Sequence, residues 1–260
     1  MLCPSIYNIN DRVFSASRAA LDAIPPAAAP CIISAMANHA YCNLWLRDFE
    51  EATRIERLER LLETVPVSKS SLGFSSLVIR AVEPGLPPVA EYDLRSEPIT
   101  ATEVAALARE HDHPDTAFEV GAHMDLWTRD ADSGRWSDTP QPVTIESYGP
   151  EYEEGIAAAD AGHFQIDAGF EHFFTGHAGL LGTSHPREVK VEHPAEREFL
   201  EAMSRPENLR GYQERTRENI QRLLRWIRVV ETVLPIERAR LWSEGEENFE
   251  ARLDEILALR

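Results

Sequence analysis

Two runs in the middle of the chain, Phe118–Trp127 (FEVGAHMDLW) and His163–Phe174 (HFQIDAGFEHFF), alternate apolar and polar residues with the two-residue period of a half-buried strand. In the first, His123, Asp125 and Trp127 share a face; in the second, Gln165 and Asp167 follow His163 on one face. The same reading extends in both directions. Tyr41–Leu46 is aromatic and apolar enough for a buried strand, and Phe49–Thr64 carries Ile55, Leu58, Leu61 and Leu62 at helical spacing. Phe74–Val82 is rich in β-branched residues, Pro84-Gly85 marks a turn, and Val89–Leu94 returns as a hairpin partner. Thr100, with Glu103 three residues on, forms a capping-box pattern for a helix running to about Glu110. Ala117–Arg129 then reads as a strand, Asp132-Ser133-Gly134 as a turn, Pro142–Tyr148 as its partner and His163–Ala168 as the last strand.

The succession βαββαβ followed by two strands predicts an α+β fold with a ferredoxin-like core, an extended antiparallel sheet and two helices on one face. Beyond it, Ala195–Arg260 reads as helical throughout. Ile220, Leu223, Ile227, Val230 and Leu234 form an apolar stripe, Pro235 stops or kinks that helix, and Glu237–Trp242 and Asn248–Leu259 read as shorter helices. The expected organisation is an arm or linker over 1–35, with its Pro/Ala-rich run Ile24–Pro30, an α+β core over 36–186, and a helical extension over 187–260 packed on the core. Composition changes abruptly at Met36, which marks it as a candidate start of the folded unit.

Charge narrows the partners. Of a net charge of −18, the stretch Glu91–Glu171 carries −15, from 19 acidic and 4 basic residues, whereas Arg187–Arg260 is nearly neutral. Such a surface repels phosphate backbones, so nucleic acid is not an expected partner, and a basic protein is. Apolar runs fall short of the roughly 18 to 20 residues that span a bilayer, so no membrane partner is expected either. Asp22 and prolines 25, 26 and 30 interrupt the Ala-rich run that would otherwise resemble a secretory leader. Three cysteines, Cys3, Cys31 and Cys42, are an odd number without a CxxC pair, which points to a reducing cytoplasm. The C-terminal helices are expected to pack on the core of a monomer or to mediate a homodimer.

The candidate chemistry lies on the two alternating runs. Imidazole and carboxylate groups at His123, Asp125, His163 and Asp167 could ligate zinc or another divalent metal if the strands are neighbours. Trp127 adds an aromatic wall to that face. A second cluster, His172 and His177 in the glycine-rich segment 169–182, has the composition of a ligand-binding loop but lacks the lysine of a phosphate-cradling P-loop. No HExxH and no Gly-x-Ser-x-Gly occurs, and the Asp130–Gly134 run lacks the twelfth-position glutamate of a calcium loop, where Gln141 stands. The expected function is that of a non-catalytic binding or protein-interaction module with an acidic recognition surface. The rival expectation is a metal-dependent hydrolase built on the four His/Asp residues.

Overall fold

In the computed structural model, residues 38–130, 133–177, 179–181 and 194–259 are described. The chain divides into two units, Met1–Met36 and Ala37–Arg260, and everything below concerns the second. The arm over 1–35, with Cys3 and Cys31, together with Asp132 and Gly182, lies outside the described residues.

Seven strands form one antiparallel sheet: β1 (His39–Leu46), β2 (Phe74–Ala81), β3 (Ala90–Asp93), β4 (Thr116–Arg129), β5 (Trp136–Tyr148), β6 (Phe164–Phe170) and β7 (Ile236–Ser243), in the order β3-β2-β4-β5-β6-β1-β7. The expected succession of strands and helices is present through β4, but this order does not confirm a ferredoxin-like core. A split βαβ unit would place one strand between β1 and β2, whereas β6, β5 and β4 all intervene here. Hairpin pairing decides it: β4 and β5 share a long register from Ala117↔Tyr148 to Arg129↔Trp136, leaving β1 to close on β6.

Helices α1 (Arg54–Glu63), α2 (Ala101–Arg109), α6 (Pro206–Val233) and α7 (Phe249–Ala258) bury their apolar stripes against one face of the sheet. The short helices α4 (His172–Thr175) and α5 (Pro194–Met203) add Phe174 and Met203 to the same core. From the sheet, this core takes Cys42, Leu44, Leu77, Ile79, Phe118, Val120, Ile145, Phe164 and Ile166, the residues of one parity on each strand. The capping box at Thr100 and Glu103 is formed and starts α2. On α6, Tyr212, Thr216, Asn219, Ile220, Leu223, Trp226 and Val230 are buried, and Pro235 holds Leu234 extended so that the helix ends there. No described helix is long and apolar enough to cross a membrane.

Two local features differ from the sequence expectation. Glu237–Trp242 is not helical: it belongs to β7, which pairs with β1 through Tyr41↔Trp242 and Asn43↔Arg240. Past Pro235 the side chains alternate, with Arg238, Arg240 and Trp242 on one side, and strand period replaces helix period. The C-terminal part therefore completes the sheet as well as covering it. Strand β5 also begins earlier than expected, at Trp136, and contains Pro140 and Pro142. Its pairing with β6 covers only Thr144–Ser147, so both prolines sit where β5 has one free side and a missing N–H costs no ladder bond.

Arg54, on the first turn of α1, is fully buried. Its guanidinium donates to the Thr116 carbonyl and hydroxyl, both at 2.8 Å, pairs with Asp112 at 2.9 Å and lies 4.3 Å above the Phe118 ring. Burial lowers its pKa, and Asp112 opposes that shift. This clamp fixes the end of α2, the start of β4 and α1 to one another.

Candidate functional site

With one parity of every strand committed to the core, the other parity forms a second face. At one end Tyr152 and Ala157, from a 3-10 turn and helix α3 (Ile156–Asp160), pack on Ala117 and Tyr148, and at the far end of β4 α6 covers Trp127. Across the rest runs a row of register partners from all seven strands: Glu91, Val78, Glu119, Glu146, Gln165, Asn43 and Arg240 on β3, β2, β4, β5, β6, β1 and β7 in turn, Val78 being the one apolar member.

A chain of hydrogen bonds ties this row together. Arg80 Nε donates to Glu119 at 2.5 Å, and the Tyr148 hydroxyl sits between the Glu146 carboxylate and Gln165 Oε1. Gln165 Nε2 donates to Asn43 Oδ1 at 3.0 Å, and Trp242 Nε1 donates to the same oxygen at 3.1 Å. Asn43 is 2% exposed, so its amide is the buried hub of the network. Loss of solvent raises the Glu146 pKa, with the Glu119 and Asp167 charges adding to the shift. Burial likewise raises the Tyr148 and Tyr41 hydroxyls, helped by Glu146 and by Asp167 respectively, and pushes Tyr152 up to about 12.

One row further along, His39 Nδ1 lies 2.7 and 2.9 Å from the two oxygens of Asp167, which also accepts the Gly169 N–H at 2.8 Å. The His39 N–H and the Tyr41 hydroxyl both donate to Glu244. Tyr41 stacks on Trp242 with centroids 4.7 Å apart, and Arg238 lies 3.5 Å above Trp45. The face is thus acidic over β3 to β6 and turns aromatic and basic at the β1–β7 edge.

The residues singled out from the sequence are dispersed. His123 Nδ1 is 3.2 Å from Ser71 Oγ, and Asp125 accepts the Lys69 N–H at 3.1 Å. Trp127 is held by α6: its indole donates to Glu218 at 2.7 Å, its N–H to Asn219, and Arg215 and Arg222 lie over its ring. His163 Nδ1 accepts the Leu46 N–H at 2.9 Å while the ring stacks on Phe49 at 4.1 Å, and burial lowers its pKa. Asp167 is the partner of His39. His172 is flanked by the rings of Phe170 and Phe173, and loss of surrounding water, more than the nearby His177, pushes its pKa down to about 4. His177 Nε2 lies 3.3 Å from Glu196, and its N–H donates to the Tyr212 hydroxyl.

The metal set His123, Asp125, His163 and Asp167 is not assembled. Strand β5 separates β4 from β6, which puts about 10 Å between the two pairs, and His163 lies four residues along β6 from Asp167. Among the described residues no three His, Cys, Asp or Glu side chains are placed to hold a metal ion. Cys42 is free and buried, its thiol pushed up to about 12 by burial.

Sequence reasoning passed over His39, Asn43, Glu119, Glu146 and Arg80. The period-2 string HAYCNLWL carried the signal for the first two, since it places His39, Tyr41, Asn43 and Trp45 on one side opposite the buried Cys42 and Leu44. No family model, no curated protein and no solved structure matches the chain.

Proposed function

We propose that the protein is a non-catalytic binding module that docks a basic protein partner on the face of its sheet that the long helices leave open. The observation that carries this reading is the acidic half of the face. Glu91, Glu119 and Glu146 lie in one row with Asp167 in the next, and among the described residues Arg80 is the one Lys or Arg paired there, Asp167 being the partner of His39. Tyr41, Trp45 and Trp242 supply flat aromatic area next to these carboxylates, a combination suited to recognition. Arg238 and Arg240 at the β7 edge would repel a basic partner and so orient it toward β2–β6. The three cysteines, odd in number, support a cytoplasmic setting for this interaction.

The test is binding of an oligolysine peptide at low and physiological salt to the native chain and to two variants of equal charge. Glu119→Gln/Glu146→Gln/Asp167→Asn alters the face, and Glu110→Gln/Glu207→Gln/Glu214→Gln removes three exposed carboxylates elsewhere. The face variant is expected to bind about tenfold more weakly and the control within about twofold of native. Equal losses in both would reduce the effect to net charge and remove the face from the reading.

A further inference from the structure

The loop between α1 and β2 is fixed along the outer side of β4. Val67 bridges to Met124, Ser68 N–H donates to the His123 carbonyl at 2.7 Å, and Lys69 N–H donates to Asp125. Buried Ser68 accepts the N–H groups of Ser70 and Ser71 on its hydroxyl, at 3.1 and 3.2 Å, which closes the turn. Gly73, at φ +73°, then brings the backbone against Pro98 and Ile99, where a Cβ would stand 3.0 Å from the Ile99 nitrogen. These bonds leave a cleft of about 330 Å³ between the loop, the start of β2 and the segment before α2.

The wall of this cleft combines hydroxyl, cationic and apolar groups. Ser70, Ser71 and Ser75 supply hydroxyls and Arg95 a guanidinium, Leu72, Phe74 and Pro98 supply apolar surface, and no carboxylate lines it, in a chain of net charge −18. Gly121 beneath makes room for the serines, since a Cβ there would stand 2.8 Å from Ser75 Oγ and closer still to Ser76 Oγ. Arg95 is braced by Asp93 through two bonds of 2.8 and 2.7 Å. With Nε and Nη2 of Arg95 closed on Asp93, the donors that line this one space are three hydroxyls and the remaining Nη1 of Arg95, a set that matches a multi-oxygen anion, which accepts from several directions at once.

We propose that this cleft binds a small phosphate monoester with an apolar body. The phosphate oxygens accept from Ser70, Ser71, Ser75 and Arg95, and the apolar part rests on Leu72, Phe74 and Pro98. His123 is a positioning residue: with a proton on Nδ1 it donates to Ser71 Oγ, 3.2 Å away, and turns the serine hydrogen toward the ligand. This site lies beyond the protein-binding reading and stands whether or not that reading holds.

The experiment is a calorimetric titration of the full chain with phenyl phosphate at physiological salt, with inorganic phosphate and phenol run separately. One site per chain with Kd at or below about 1 mM is expected, each fragment binding at least about tenfold more weakly. Ser71→Ala/Ser75→Ala and Arg95→Gln should each weaken phenyl phosphate by about tenfold or more while keeping the native melting temperature, and His123→Gln by a smaller factor. Absence of saturable heat up to about 10 mM, or equal affinity in the serine and arginine variants, would overturn the proposal.

Discussion

Glu119 on β4 faces Glu146 on β5 as a direct cross-strand pair, two like charges at the closest spacing a sheet offers. The repulsion is relieved unequally: Arg80 pairs directly with Glu119, whereas Glu146 is shielded from water and, among the described residues, is hydrogen-bonded by the Tyr148 hydroxyl. The folded pKa of Glu146 is therefore raised above its unfolded value. A raised carboxylate contributes stability that is complete below the unfolded pKa and is lost as pH rises through the folded one. Glu146→Gln is accordingly expected to raise the melting temperature at pH 8 by about 2–4 °C, with the gain vanishing as pH falls toward about 4. Thermal melts of both proteins across that range check it.

Arg54 is the buried cation on which three elements converge. Arg54→Met leaves Asp112 without its cation and the Thr116 hydroxyl and carbonyl without the guanidinium, the carbonyl keeping only the Gly149 N–H, and should cost about 3–5 kcal/mol, near 10 °C in melting temperature. Arg54→Lys keeps the charge but offers a point donor in place of a fork, and is expected to fall between native and Arg54→Met. Urea denaturation of the three proteins orders them.

His163 accepts the Leu46 N–H on Nδ1, a bond possible only with that nitrogen unprotonated. Its pKa is lowered on folding, so the stability it lends is present above its unfolded value of about 6.5 and is lost as pH falls through the folded value. The Leu46 amide should exchange faster with solvent as pH drops through that window, once corrected for intrinsic exchange rates. Hydrogen exchange followed by NMR reads this directly, and the His163 ring resonances should titrate below about 6.5.

Gly162, between α3 and β6, combines φ of +91° with a Cβ position 2.6 Å from the Leu44 carbonyl oxygen. Both the torsion and the close approach involve backbone that cannot swing aside. Gly162→Ala is expected to cost about 3 kcal/mol by denaturant unfolding, whereas Gly85→Ala, at a site with open space, should change stability by less than about 0.5 kcal/mol.

What the sequence made legible follows the strength of local periodicity. Helices α1 and α2, the β2–β3 hairpin and strands β4 and β6 were all readable because a single period runs through each, as with Ile55, Leu58, Leu61 and Leu62. β7 was hidden because Ile236, Leu241 and Trp242 are too few to fix a period, and the helical stripe before Pro235 biased the reading onward. Strand order was not legible, since succession does not say that β1 waits for β6 and β7. For the same reason the pairing of His39 with Asp167, residues 128 positions apart, left no local trace. The faces of β4 and β6 were correctly divided by alternation, but which side chains meet across a sheet depends on the intervening strand.

The junction of β1 and β7 also bears on how the chain is made. Trp242 and Asn43, hydrogen-bonded across that junction, are 199 positions apart. At about 5–20 residues per second, a ribosome needs roughly 10–40 s to add the strand that covers β1 after β1 itself has been synthesised. Through that interval the nascent chain carries Tyr41, Asn43 and Trp45 on an unpaired strand margin, the kind of surface that chaperones hold. Maturation of the sheet is thus tied to the synthesis of β7, which acts as its latch.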